Sequence, residues 1–153
     1  MHKVDDIDMI ILRALQEDGR VSNVDLAEKA GISAPPCLRR LRNLEDTGLV
    51  KGYTARLNGP ALGYNITVFI KIALASTTDS DLKAFMDKIQ EWPQVREAYA
   101  LAGDSDFLLK VCAKDWDDYQ KFLLEVLPTA PAIGTNTSLL TVKTIKDTGG
   151  IPL

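Results

Sequence analysis

Gly31-Ile32-Ser33-Ala34-Pro35-Pro36-Cys37-Leu38-Arg39-Arg40-Leu41-Arg42-Asn43-Leu44-Glu45 is the stretch on which the fold of this chain turns. Ser33 suits an N-cap, and Pro35 and Pro36 fall in a first helical turn, where a missing N–H costs little. Cys37, Leu38, Leu41 and Leu44 then mark one apolar face, so the spacing predicts a helix over 33–46 that Gly48 closes. Arg39, Arg40, Arg42 and Asn43 project away from that face. Upstream, Leu26, Ala27 and Ala30 belong to a short helix capped at Ser22 or Asn23, and Gly31-Ile32-Ser33 is all that separates it from the next. Further upstream, Ile7, Ile10, Ile11, Ala14 and Leu15 form the stripe of a longer helix stopped at Gly19. Two short helices joined by about three residues with a glycine meet the requirement for a helix-turn-helix. The second helix would offer its arginines to guanine edges or to phosphate, and Ser33 would donate to phosphate. On periodicity alone, a three-helix structural subdomain with solvated arginines remains open.

Downstream the pattern changes. Leu49–Leu57 reads as extended, and Asn58-Gly59-Pro60 marks a boundary. Ile66, Val68, Ile70, Ile72 and Leu74 alternate with period two and predict a strand over 65–75. Leu82, Phe85, Met86 and Ile89 return to helical spacing. Strands at 95–102 and 107–113 flank Gly103-Asp104-Ser105-Asp106, which from spacing alone is a hairpin turn. Trp116, Tyr119, Leu123, Val126 and Leu127 form a helix ending near Pro128, and 137–146 a last strand. The expected fold is therefore α+β: a helix-turn-helix domain at 1–50, an extended linker at 51–63, and a ferredoxin-like βαββαβ domain at 64–153. Such a domain covers only one sheet face with helices. Leaving the other in water is unfavourable at about 25 cal/mol per Å² of apolar surface, so an obligate homodimer is expected.

Composition removes other classes. The chain is 46% hydrophobic and 25% charged, as soluble globular proteins are. No apolar run approaches the ~20 residues of a membrane span, and the N-terminus lacks a signal peptide's apolar core, so a cytoplasmic location without membrane partners is expected. Cys37 and Cys112 sit in apolar periodic segments and read as reduced core residues. The net charge of −3 falls entirely beyond residue 58, because the first 58 residues carry nine Lys/Arg and nine Asp/Glu. Charge acts within ~10 Å at physiological salt, so the three clustered arginines matter more than the total. A single histidine, His2, leaves no Ser-His-Asp or Cys-His arrangement, and Cys/His metal spacing and a phosphate loop are absent from the sequence. Neither catalytic residues nor a metal or cofactor are expected.

The run 31–45, with Gly48-Leu49-Val50 and Gly52-Tyr53 after it, resembles the Lrp/AsnC family of feast/famine regulators. Asp6-Ile7-Asp8, Ile11-Leu12, Gly19-Arg20, Gly103-Asp104-Ser105-Asp106-Phe107-Leu108-Leu109, the Thr-rich last strand and Ile151-Pro152-Leu153 follow the same pattern. The resemblance implies a (winged) helix-turn-helix binding double-stranded DNA, with Ser33, Ala34, Pro36, Arg39, Arg40, Arg42 and Asn43 at the duplex. Arg40 matches the family's usual recognition-helix arginine, whereas Arg39 stands where an acid or another polar residue is common. The resemblance also implies dimers that assemble further, into tetramers or octamers, and that regulate amino-acid metabolism. A free amino acid would bind near Gly103, Asp104, Ser105 and Asp106, with hydroxyls from Thr135, Thr137 and Ser138. Ala102 and Ser105 replace the hydroxyl and aromatic residues usual beside that pocket.

Overall fold

Asp5 opens the first helix of the computed structural model, which describes residues 3–153; Met1 and the single histidine, His2, lie outside the described residues. The chain forms two units, one running to Arg56 and including Asp147–Leu153, the other Leu57–Lys146.

The first unit contains α1 (Asp6–Glu17), α2 (Asn23–Lys29) and α3 (Ala34–Asp46). Asp5 caps α1 through a reciprocal box with Asp8, and Ser22 caps α2 by accepting from the Asp25 N–H. The stripes read from the sequence converge: Ile11, Ala14, Leu26, Ala27, Ala30, Cys37 and Leu44 form the buried core. Gly31 and Gly48 have φ of +66° and +74°, the left-handed conformation that ends a helix without a Cβ clash. Gln16 reaches the end of the chain, its Nε2 donating to the Ile151 carbonyl (2.7 Å) and its Oε1 accepting from the Ile151 N–H (2.9 Å). Arg56 pairs with Asp147 at 2.9 Å. The last seven residues thus differ from the expected 64–153 boundary. They are held by side-chain amide and ionic contacts, which leave no hydrophobic period to read.

The second unit runs β1 (Ile66–Leu74), α4 (Asp79–Gln90), β2 (Val95–Ala100), β3 (Phe107–Ala113), α5 (Trp116–Lys121) and β4 (Ile133–Leu140). After Lys121 the helical path widens through Phe122–Val126, where the Leu127 N–H reaches the Phe122 carbonyl. The strands form an antiparallel sheet in the order β2-β3-β1-β4, the ferredoxin-like arrangement. Val68, Ile70 and Ile72 of β1 and Phe107, Leu109 and Val111 of β3 point to the helices, where Phe85, Trp92, Tyr119, Phe122 and Leu127 complete the core. Phe85 packs at a tilt against Phe107 with ring centroids 4.8 Å apart, and Trp92 meets Phe122 edge-on at 5.6 Å. Phe122 is 1% exposed, so Phe122→Ala should cost ~3–5 kcal/mol, read as a lower urea midpoint with an unchanged slope.

Two expectations need correction. The last strand begins at Ile133 rather than 137 and ends at Leu140 rather than 146. Its polar run Gly134-Thr135-Asn136-Thr137-Ser138 belongs to an exposed edge strand, where pairing with β1 rather than apolar alternation sets the limits. Cys37 is buried, but Cys112 is only half-buried and lies on the sheet face opposite the helices, beside Thr67.

Candidate DNA-reading helix and ligand loop

Pro35, Leu38, Arg39, Arg42, Asn43 and Asp46 line an open depression of about 340 Å³ on the outer face of α3. These positions recur at helical spacing opposite Cys37 and Leu44, so burying the core stripe turns Arg39 and Arg42 outward. Leu38, expected in the core, lines this depression instead. At the start of α3, Ser33 occupies the N-cap but makes no side-chain cap hydrogen bond. The cause is local: the second and third helical positions are Pro35 and Pro36, which have no N–H to give. The hydroxyl is left to an outside acceptor. Ala34 and Pro36 are half-buried, and the Ala34 carbonyl accepts from Asn23 Nδ2 at 3.1 Å; Pro35 is the exposed residue of this turn.

Arg40 departs from the expected arrangement. Its Nη1 bonds Asp5 Oδ2 and Asp8 Oδ1, each at 2.8 Å, and Asp8 is 1% exposed. The two carboxylates raise the guanidinium pKa further above its ordinary value. The Asp8 backbone N–H, and secondarily Arg40, hold Asp5 below the usual carboxylate range. Three arginines within four positions of sequence thus divide, two outward and one toward α1.

In the second unit, the loop between β2 and β3 carries Gly103, Asp104, Ser105 and Asp106. Asp104 is exposed and pairs with Lys71 Nζ of β1 at 3.2 Å. Lys71 lies opposite Thr137, and Ala73 opposite Thr135, so both threonines share the helix-free face with Lys71. Ser138 pairs opposite Ile70 and points to the other face, where it hydrogen-bonds Tyr119. It is therefore separated from the two threonines by the sheet. The Asp106 carboxylate accepts the Leu74 N–H at 2.7 Å, and its own N–H donates to the Ile72 carbonyl at 2.8 Å. Asp106 thus anchors the loop to β1 by both backbone and side chain. Gly103 has no positive φ and nothing within 4 Å of where a Cβ would stand, so the fold of the chain itself does not demand glycine there. Lys71 escaped the sequence reading, although it is the one charge in β1 and sits on the alternate face.

A tri-helical unit with an outward arginine face, joined to a ferredoxin-like sheet with a polar loop, defines a two-domain DNA-binding regulator rather than an enzyme. Residues 4–51 match the winged helix-turn-helix DNA-binding family, and residues 67–151 the Lrp/AsnC ligand binding domain. The chain belongs to the Lrp/AsnC family of transcriptional regulators. It is 48% identical to the leucine-responsive regulatory protein of Rhizobium meliloti over 145 residues, covering 95% of this chain and 93% of that one. It is 39% identical to the Bkd operon transcriptional regulator of Pseudomonas aeruginosa over the full length of both. A Neisseria meningitidis transcriptional regulator, solved as its L-Met complex, superposes with a TM-score of 0.93 at 33% identity, over 98% of this chain and 97% of that one. Among the described residues, no helix is long and apolar enough to cross a membrane.

Proposed function

We propose that this regulator acts in the cytoplasm as a homodimer, assembling further into tetramers or octamers, and that a free amino acid controls its binding to operators. The helix-free sheet face supports the dimer. Phe69, Leu108 and Leu139 lie there among Lys71, Lys110 and Thr137, and Leu139 is 47% exposed. A second copy packed sheet to sheet would remove these side chains from water and present two α3 helices to one duplex, suiting pseudo-palindromic sites. At each helix, Arg39 and Arg42 are the base or phosphate contacts, Ser33 a phosphate donor, and Asn43 a flanking contact.

The observation that carries the amino-acid reading is the exposed Lys71–Asp104 pair beside the unshielded Gly103. An amino acid brings one ammonium and one carboxylate. Asp104 matches the first, and Lys71 or the N–H groups around Gly103 match the second. Thr135 and Thr137 sit on the same face for a hydroxyl contact. The L-Met complex of the Neisseria regulator supports the ligand class. In a thermal-shift panel of the twenty amino acids, at least one should raise the melting temperature, by about 2.7 kcal/mol of stabilisation at 100-fold excess over Kd. Asp104→Ala should abolish that shift, and a flat panel would exclude the effector.

A further inference from the structure

In the first unit, the Asp5–Arg40–Asp8 cluster lies outside the reading face. Its four carboxylate oxygens each have a task. Asp5 Oδ1 accepts the Asp8 N–H at 2.9 Å and Asp8 Oδ2 accepts the Asp5 N–H at 3.3 Å, closing the cap of α1. The two remaining oxygens, Asp5 Oδ2 and Asp8 Oδ1, take Nη1 of Arg40 from α3. One nitrogen therefore joins the capping box of α1 to the middle of α3, across 32 and 35 residues of sequence. Asp8 is almost fully buried, and a buried carboxylate needs such a cation. Two carboxylates 2.8 Å from one guanidinium nitrogen also offset the positive charge that Arg40 would offer phosphate. For Arg40 to reach a base or a phosphate, it would have to leave both carboxylates.

We propose that Arg40 is a positioning residue: it fixes the rotation of α3 against α1, so that Arg39 and Arg42 face the duplex, and does not itself touch DNA. This rests on α3 being the reading helix. The test uses the full-length protein and a duplex selected by it from random sequence. Asp8→Asn separates the two roles by sign. If Arg40 reads DNA, removing a competing carboxylate frees it, and binding tightens. If Arg40 positions α3, binding weakens about 10-fold despite the lost negative charge, and the dependence of log K on log salt keeps its slope. The double variant Asp8→Asn/Arg40→Ala should then bind no more weakly than Arg40→Ala alone, whereas the loss caused by Arg39→Ala should be the same with or without Asp8. Should Asp8→Asn fail to fold, Asp5→Ser decides: serine keeps the cap to the Asp8 N–H and removes one ion pair. Weaker binding with the salt slope unchanged supports positioning. Tighter or unaltered binding overturns it, as does a slope reduced by about one in Arg40→Ala. If Arg39→Ala and Arg42→Ala both bind normally, the reading helix itself is misassigned, a failure distinct from that of Arg40.

Discussion

Phe69→Asp should convert the assembly into a folded monomer of 16.8 kDa and weaken operator binding at least 100-fold. Phe69 lies in β1 between Val68 and Ile70, which face the helices, so its side chain leaves on the opposite side, opposite Leu139 and Lys110 in the pairing. In a two-fold dimer every contact occurs twice, so the substitution would bury two carboxylates in the one interface. Two like charges in a dry interface oppose association by several kcal/mol, while the helix-side core that holds each protomer together is untouched. The DNA effect is larger than the lost contact suggests. A dimer's second helix binds intramolecularly, and separating the copies forfeits that effective concentration. Sedimentation, with far-UV circular dichroism as the folding control, reads the first outcome. If the variant still sediments as a dimer, the helix-free face is not the interface.

The second large effect concerns α3. Arg39→Ala and Arg42→Ala should each cost about 1–3 kcal/mol of binding on a selected duplex. Together they should approach the affinity for random DNA, since both line the same exposed depression. The form of the loss assigns each role. A base-reading arginine loses discrimination at one position of the site, while a phosphate contact loses affinity on every sequence and lowers the salt slope by about one. Wild-type affinity in the double variant would remove this face from the interface.

Local pattern carried much of this architecture, and tertiary pairing carried the rest. The helices α1–α3 were readable because Ile11, Ala14, Leu26, Ala27, Cys37 and Leu44 keep a strict helical stripe between glycine stops. β1 was readable because Val68, Ile70 and Ile72 alternate. The family resemblance groups Ser138 with Thr135 and Thr137 on the Thr-rich strand, yet period two sends it to the other face of the sheet. Arg40 could not be told from Arg39 and Arg42 by composition. What distinguishes it is the Asp5 and Asp8 carboxylates more than thirty residues earlier, a relation that no local period encodes. Asp106 was legible as a turn residue and illegible as a backbone anchor for the same reason.

The Gln16–Ile151 clasp has a bearing on how the protein is made. Its two partners are separated by 135 positions, and the whole sheet unit lies between them. On the ribosome, where N-terminal regions fold first, the three helices emerge and pack while their closing strap has yet to be synthesised. The DNA-binding unit thus begins to fold before its own strap exists, and a nascent chain stalled before Asp147 would display it unfastened.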